Sequence, residues 1–171
     1  PESTVLSGQD DTNQLVIFEN GEGPDTVLEG FTITSADRYG IRCSNESAPH
    51  LINCVLFENP MGMLNVGSSP TLTDCRFIRN GLEGSYSGGM ENIGSSPTLF
   101  SCLFEDNTND RYGGAGGVKN TAASNPELHD CIFLNNSNTY GNPGAGGMLN
   151  DESDPRLYRC VFESNTSTRS G

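Results

Sequence analysis

The chain has 171 residues, of which 33% are hydrophobic and 18% charged, with 21 glycines and no tryptophan. That length holds about one domain; the composition argues against a globule with a single thick core, and the apolar residues are too regularly placed for disorder. Nine basic residues against 22 acidic ones leave a net charge of −13, which repels phosphate backbones and argues against a nucleic-acid partner, and the chain lacks a run of eighteen apolar residues that would span a membrane as a helix.

In chain order, the sequence opens on Pro1, with no methionine and no signal peptide, so it is read as a processed or excised segment. "STVLSGQDD" (Ser3 to Asp11) and "LEGFTIT" (Leu28 to Thr34) come first. "GFTITSA" puts Phe31 and Ile33 where later copies have Cys and Phe, and "GIRC" ends at Cys43. Five full copies then align on Cys54, Cys75, Cys102, Cys131 and Cys160. Each has Pro five residues before (Pro49, Pro70, Pro97, Pro126, Pro155) and Leu three before (Leu51, Leu72, Leu99, Leu128, Leu157). Each has a large apolar residue two after (Leu56, Phe77, Phe104, Phe133, Phe162) and Asn five after (Asn59, Asn80, Asn107, Asn136, Asn165). From Phe31 to Cys160 the spacings are 23, 21, 27, 29 and 29 residues. Between the blocks recurs Gly-apolar-x-Asn: "GMLN" at Gly62, "GMEN" at Gly89, "GVKN" at Gly117 and "GMLN" at Gly147.

Short runs of period two bounded by turn residues are strands. Three of them per 21 to 29 residues predict an all-β right-handed single-stranded parallel β-helix, a solenoid of about six coils rising about 29 Å. In Cys-x-Phe the outer two residues point inward and the middle one outward; Arg76, between Cys75 and Phe77, cannot sit in a narrow core. Leu, Cys, Phe and Met/Val/Ile then form continuous inward files. The repeated Asn is expected at bends, in left-handed backbone, bonded to its copy one coil away. Pro is expected where a strand begins and a missing N–H does least harm. Five cysteines in one repeat position read as free thiols in the core, with Cys43 unpaired on another face; without CxxC, and with His50 and His129 at outward positions, no zinc site is expected.

The order F-x-x-N, a loop containing "GGAGG" or "GAGG", and a short strand resembles the repeats of polymorphic outer-membrane proteins. Coils of the type "GGMxN…SSPTLTxCxF" resemble bacterial secreted β-helix repeat proteins, as do "STVLSGQDD" and "LEGFTIT". The resemblance covers nearly the whole chain, 1–171, departing at "PMG" (Pro60 to Gly62) and at Cys43. It implies a secreted or cell-surface setting in a bacterium. The three sequons, at Asn45, Asn135 and Asn165, read as incidental in that setting. With no capping segment at either end, the chain is expected to belong to a longer repeat protein or to be capped by neighbouring chains.

Function is sought first in the loops, which lengthen at 81–88, 108–116 and 137–146 and carry Tyr86, Tyr112 and Tyr140. Stacked coils bring these rings together beside Asp110, Arg111 and Glu83, a combination suited to a glycan; alternatively each ring packs down on its own glycine-rich loop. A second candidate is the lateral face, where the outward residues Val55, Leu103, Ile132 and Val161 run beside Phe100 and Tyr158; such an apolar stripe suits a protein partner or a neighbouring solenoid. No cofactor is expected. Ca²⁺ is a minor candidate at the oxygen-rich turns "SGQDD", "EDNTND" and "NDESD", none of which has EF-hand spacing. The favoured function is a non-catalytic surface scaffold or adhesin. The alternative is a polysaccharide lyase or glycoside hydrolase, which needs a base or a carboxylate pair. Glu83, Glu105, Asp106 and Asp110 supply carboxylates, while Lys119, opposite Glu91 in the next coil, reads as half of an ion pair.

Overall fold

A strand of three residues cannot cover its own apolar side chain, so each repeated Leu, Cys and Phe is buried only by the coils above and below it. The computed structural model describes residues 4–8, 14–81, 87–140 and 143–168. Three long sheets run its length, every pairing parallel. The lateral sheet has seven strands: Thr4–Ser7, Phe31–Thr34, Val55–Phe57, Arg76–Ile78, Leu103–Glu105, Ile132–Leu134 and Val161–Glu163. The asparagine sheet has six: Gln14–Phe18, Tyr39–Ser44, Met61–Val66, Met90–Ile93, Val118–Thr121 and Met148–Asn150. The leucine sheet has six: Val27–Glu29, His50–Ile52, Thr71–Thr73, Thr98–Phe100, Glu127–His129 and Arg156–Tyr158. The chain visits the three sheets in rotation, so the fold is an all-β parallel solenoid of about six turns, as the repeat spacing predicts. None of the described residues is helical.

The files form as expected. Phe77 pairs in register with Leu56 and Phe104, Leu99 with Leu72 and Leu128, and Met90 with Met63 and Val118. Phe77, Phe104, Phe133 and Phe162 stack with centroids 4.6, 4.8 and 4.4 Å apart. Phe77, Phe104 and Phe133 are fully buried, each stabilising by about 1.5–3 kcal/mol, whereas Phe162 is 44% exposed. Cys54, Cys75, Cys102 and Cys131 are buried, Cys160 partly so, and all six cysteines are free. Arg76 is exposed between its two buried neighbours. Pro49, Pro70, Pro97 and Pro126 precede their strands and lend only their carbonyls, to Thr71, Thr98, Glu127 and Arg156 at 2.9–3.1 Å.

Two asparagine ladders tie the coils together. In one, Nδ2 of Asn59, Asn80, Asn107 and Asn136 each donates to Oδ1 of the next copy at 2.8–3.1 Å. In the other, Asn65, Asn92, Asn120 and Asn150 are joined the same way at 2.8 Å. The expectation that the ladder asparagines themselves adopt left-handed backbone is corrected. Positive φ falls one residue earlier, at Glu58, Arg79, Asp106, Asn135 and Ser164 (51–56°), and again just before each repeated Cys, at Asn53, Asp74, Ser101, Asp130 and Arg159 (50–54°). The left-handed residue turns the chain so that the following side chain points inward, where the ladder needs a carboxamide and the Cys file needs a thiol.

A second difference lies beyond the ladder asparagine. Thr108–Asn109, Ser137–Asn138 and Thr166–Ser167 form a small fourth sheet inside segments read as loops. Pairing continues because Thr108, Ser137 and Thr166 donate their N–H groups to the carbonyls of Asn80, Asn107 and Asn136, each at 2.9 Å. The glycine of Gly-apolar-x-Asn also has a physical cause. A Cβ on Gly117 would lie 2.3 Å from the Gly147 carbonyl oxygen and 3.0 Å from the Phe133 ring.

Candidate functional site

The loops grow out of the fourth sheet, and hydrogen bonds knit them to one another. Buried Asn138 donates through Nδ2 to Asn109 Oδ1 and to the Gly114 carbonyl, both at 2.9 Å. Arg111 N–H donates to Asn109 Oδ1 at 3.3 Å. Gly113 N–H reaches the Pro143 carbonyl at 2.8 Å and Ala145 N–H the Gly114 carbonyl at 3.2 Å, joining the two loops across coils. On this base stand Tyr112 and Tyr140, 61% and 50% exposed. Their ring centroids are 6.0 Å apart at an interplanar angle of 89°, an edge-to-face pair. Half or more of each ring's residue surface is thus open to solvent. Asp110, half-buried, and Arg111, exposed, immediately precede Tyr112. Tyr86 and Glu83 lie outside the described residues.

The lateral candidates divide in two. Phe100, His129 and Tyr158 form an outward column, with ring centroids 5.1 and 4.7 Å apart and interplanar angles of 17° and 10°. Phe100 and Tyr158 are 39% and 42% exposed. Beside the column, Leu103, Ile132 and Val161 lie in register on adjacent strands, the last two 43% and 48% exposed and Leu103 half-buried. Val55, also half-buried, is cut off from them by exposed Arg76, which pairs with both Val55 and Leu103. The apolar stripe thus occupies the last three coils.

In the repeat His129 shares the outward row of Phe100 and Tyr158, and the structure stacks the three rings. The Nε2 of His129 lies 2.7 Å from Glu127 Oε1. Next to it, Arg159 donates through Nε and an Nη to both carboxylate oxygens of Asp130 at 2.6 and 2.7 Å. That guanidinium holds the Asp130 carboxyl below the usual carboxylate range, chiefly by its hydrogen bonds.

Elsewhere, the lysine is engaged and two of the thiols are insulated. Lys119 Nζ meets Glu91 Oε1 at 3.0 Å, the cross-coil pair expected from the register. Burial first, then the charge of Glu22, pushes the Cys43 thiol up to about 12; burial also raises Cys160. These thiols fill space as neutral groups. Among the described residues no group of three or more His, Cys, Asp or Glu is placed to hold a metal ion, and no helix is long and apolar enough to cross a membrane.

The family model described as "Right handed beta helix region" matches residues 14–168 of this chain. No curated protein matches it.

Proposed function

The chain belongs to the right-handed β-helix family, and we propose on that premise a non-catalytic scaffold or adhesin, secreted or held at a bacterial cell surface, that presents its lateral face to a protein partner and its tyrosine loops to a glycan. The observation that carries this reading is the exposed column of Phe100, His129 and Tyr158 beside Ile132 and Val161. In such a column the rings cover one another's faces. What it offers outward is a flat ribbon of ring edges and methyl groups, which suits a flat protein surface better than a sugar face. Charge bears on the partner too: at −13, a second copy of the chain is repelled, while a neutral or basic protein is not. The resemblance of the Gly-rich loops to bacterial surface repeats supports the setting. The enzymatic alternative is weaker because Lys119, the chain's one lysine, is committed to Glu91.

The test is a replacement of Leu103 and Ile132 by Ser. Extracellular proteins of the source organism are screened against the immobilised chain, and the affinity of each purified ligand is measured. The double variant is expected to keep its circular dichroism spectrum and to bind at least about ten-fold more weakly. Unchanged affinity, loss of the fold, or cleavage of a polysaccharide by the parent chain overturns the proposal.

A further inference from the structure

We infer that the Tyr112–Tyr140 pair binds an uncharged polysaccharide, a chain of sugar rings without carboxylate or sulfate groups; this deepens the glycan half of the scaffold reading and rests on it. Four observations carry the inference. First, both rings are more exposed than any ring of the lateral column, at 61% and 50%. Second, in their edge-to-face geometry one ring turns its edge to the other at 6.0 Å, so the two rings cover at most one of their four faces between them. Stacked columns, by contrast, cover both faces of every interior ring. Open aromatic faces are what the C–H side of a sugar ring packs against, and the C–H groups, slightly positive, meet the negative face of the ring.

Third, the described residues of the two loops are bonded to one another. Gly113 N–H to Pro143 and Ala145 N–H to Gly114 join the two loops, and Asn138 pins their base. Bonds of this kind reduce the ordering that binding would require, which favours affinity from a small contact. Fourth, charge selects among polysaccharides. Asp110 and Arg111 precede Tyr112 with opposite signs, so the segment that carries this ring is itself without net charge. Around them lies a chain of net charge −13, which repels a polyuronate or a sulfated glycan along its length.

The experiment is affinity electrophoresis through native gels cast with galactomannan, xyloglucan or mixed-linkage glucan as neutral probes, and with polygalacturonate or alginate as charged ones. The parent chain is expected to be retarded by at least one neutral polymer and not by the charged ones. Tyr112→Ala and Tyr140→Ala are expected to weaken that binding about ten-fold each, whereas Tyr112→Phe and Tyr140→Phe keep most of it. Being exposed, these residues should change the melting temperature little when replaced. Indifference to every neutral polymer, stronger retardation by polygalacturonate, or alanine variants that bind like the parent would overturn the inference. The double Leu103→Ser, Ile132→Ser variant separates the two readings: it is expected to bind polysaccharide as the parent does, so failure on the lateral face and failure at the tyrosines are seen independently.

Discussion

Replacing Asn107 by Ala removes one of three side chains of the long ladder, with Asn80 and Asn136, that make four hydrogen bonds each. Its Nδ2 donates to the Phe77 carbonyl at 2.8 Å and to Asn136 Oδ1 at 2.9 Å. Its Oδ1 accepts from Asn80 N–H and Asn80 Nδ2, both at 3.0 Å. The site is completely buried, so water cannot replace these partners. Four bonds at roughly 1 kcal/mol each give a loss of about 4 kcal/mol, with the stranded Asn80 N–H tending to raise it. The control is Asn165→Ala, in a partly exposed coil, where the side chain makes three such bonds, to the Phe133 carbonyl and from Asn136 N–H and Nδ2. Solvent reaches that site, and the loss there should be about half as large. Urea unfolding followed by circular dichroism measures both. A loss below about 1 kcal/mol at Asn107, or an equal loss at Asn165, would show that the ladder does not bind the coils together as its geometry implies.

Two further outcomes follow from particular residues. Asn65 Oδ1 is buried without a hydrogen-bond partner, because Cys43 stands in register where the ladder would have its next asparagine. Cys43→Asn supplies a donor of the right polarity and similar volume, and is expected to raise stability by about 1 kcal/mol in the same urea assay; no gain would mean that the pocket cannot seat a carboxamide. Glu22 is held down to about 2, first by Asn20 N–H, then by the Ser47 hydroxyl. A depressed carboxyl contributes stability that is complete above its unfolded value and is lost as pH falls through 4.5 toward 2. Carbon-detected NMR titration should place Glu22 near 2, and Ser47→Ala should move it upward; a normal Glu22 in the parent would refute the assignment.

The core was legible because a period of two and a repeated Cys-x-Phe leave one arrangement that keeps Arg76 in water. The left-handed positions before the ladder asparagines were not legible, because the residues that occupy them share no chemistry: Glu58, Arg79, Asp106, Asn135 and Ser164. There the surrounding coil imposes the backbone, and the strain of roughly 1–2 kcal/mol is offset by bonds made by the next residue. The fourth sheet escaped notice because its strands are two residues long, too short to show a period. At the candidate site, the sequence shows that tyrosines recur but not whether they lie down on glycine or stand up from it. The pairing of Tyr112 with Tyr140 depends on loops of different coils held together by bonds such as Gly113 to Pro143, which one repeat read alone does not reveal.

In both long ladders each amide-to-amide bond runs from Nδ2 of one coil to Oδ1 of the later coil. The stack therefore has a direction, like a row of tiles with tongue and groove. A turn laid in upside down would set oxygen against oxygen, whereas a duplicated turn in the same sense finds its partners already in place. Length can change by copying alone, leaving the outer loops free to diverge toward new ligands while the inner seam stays the same.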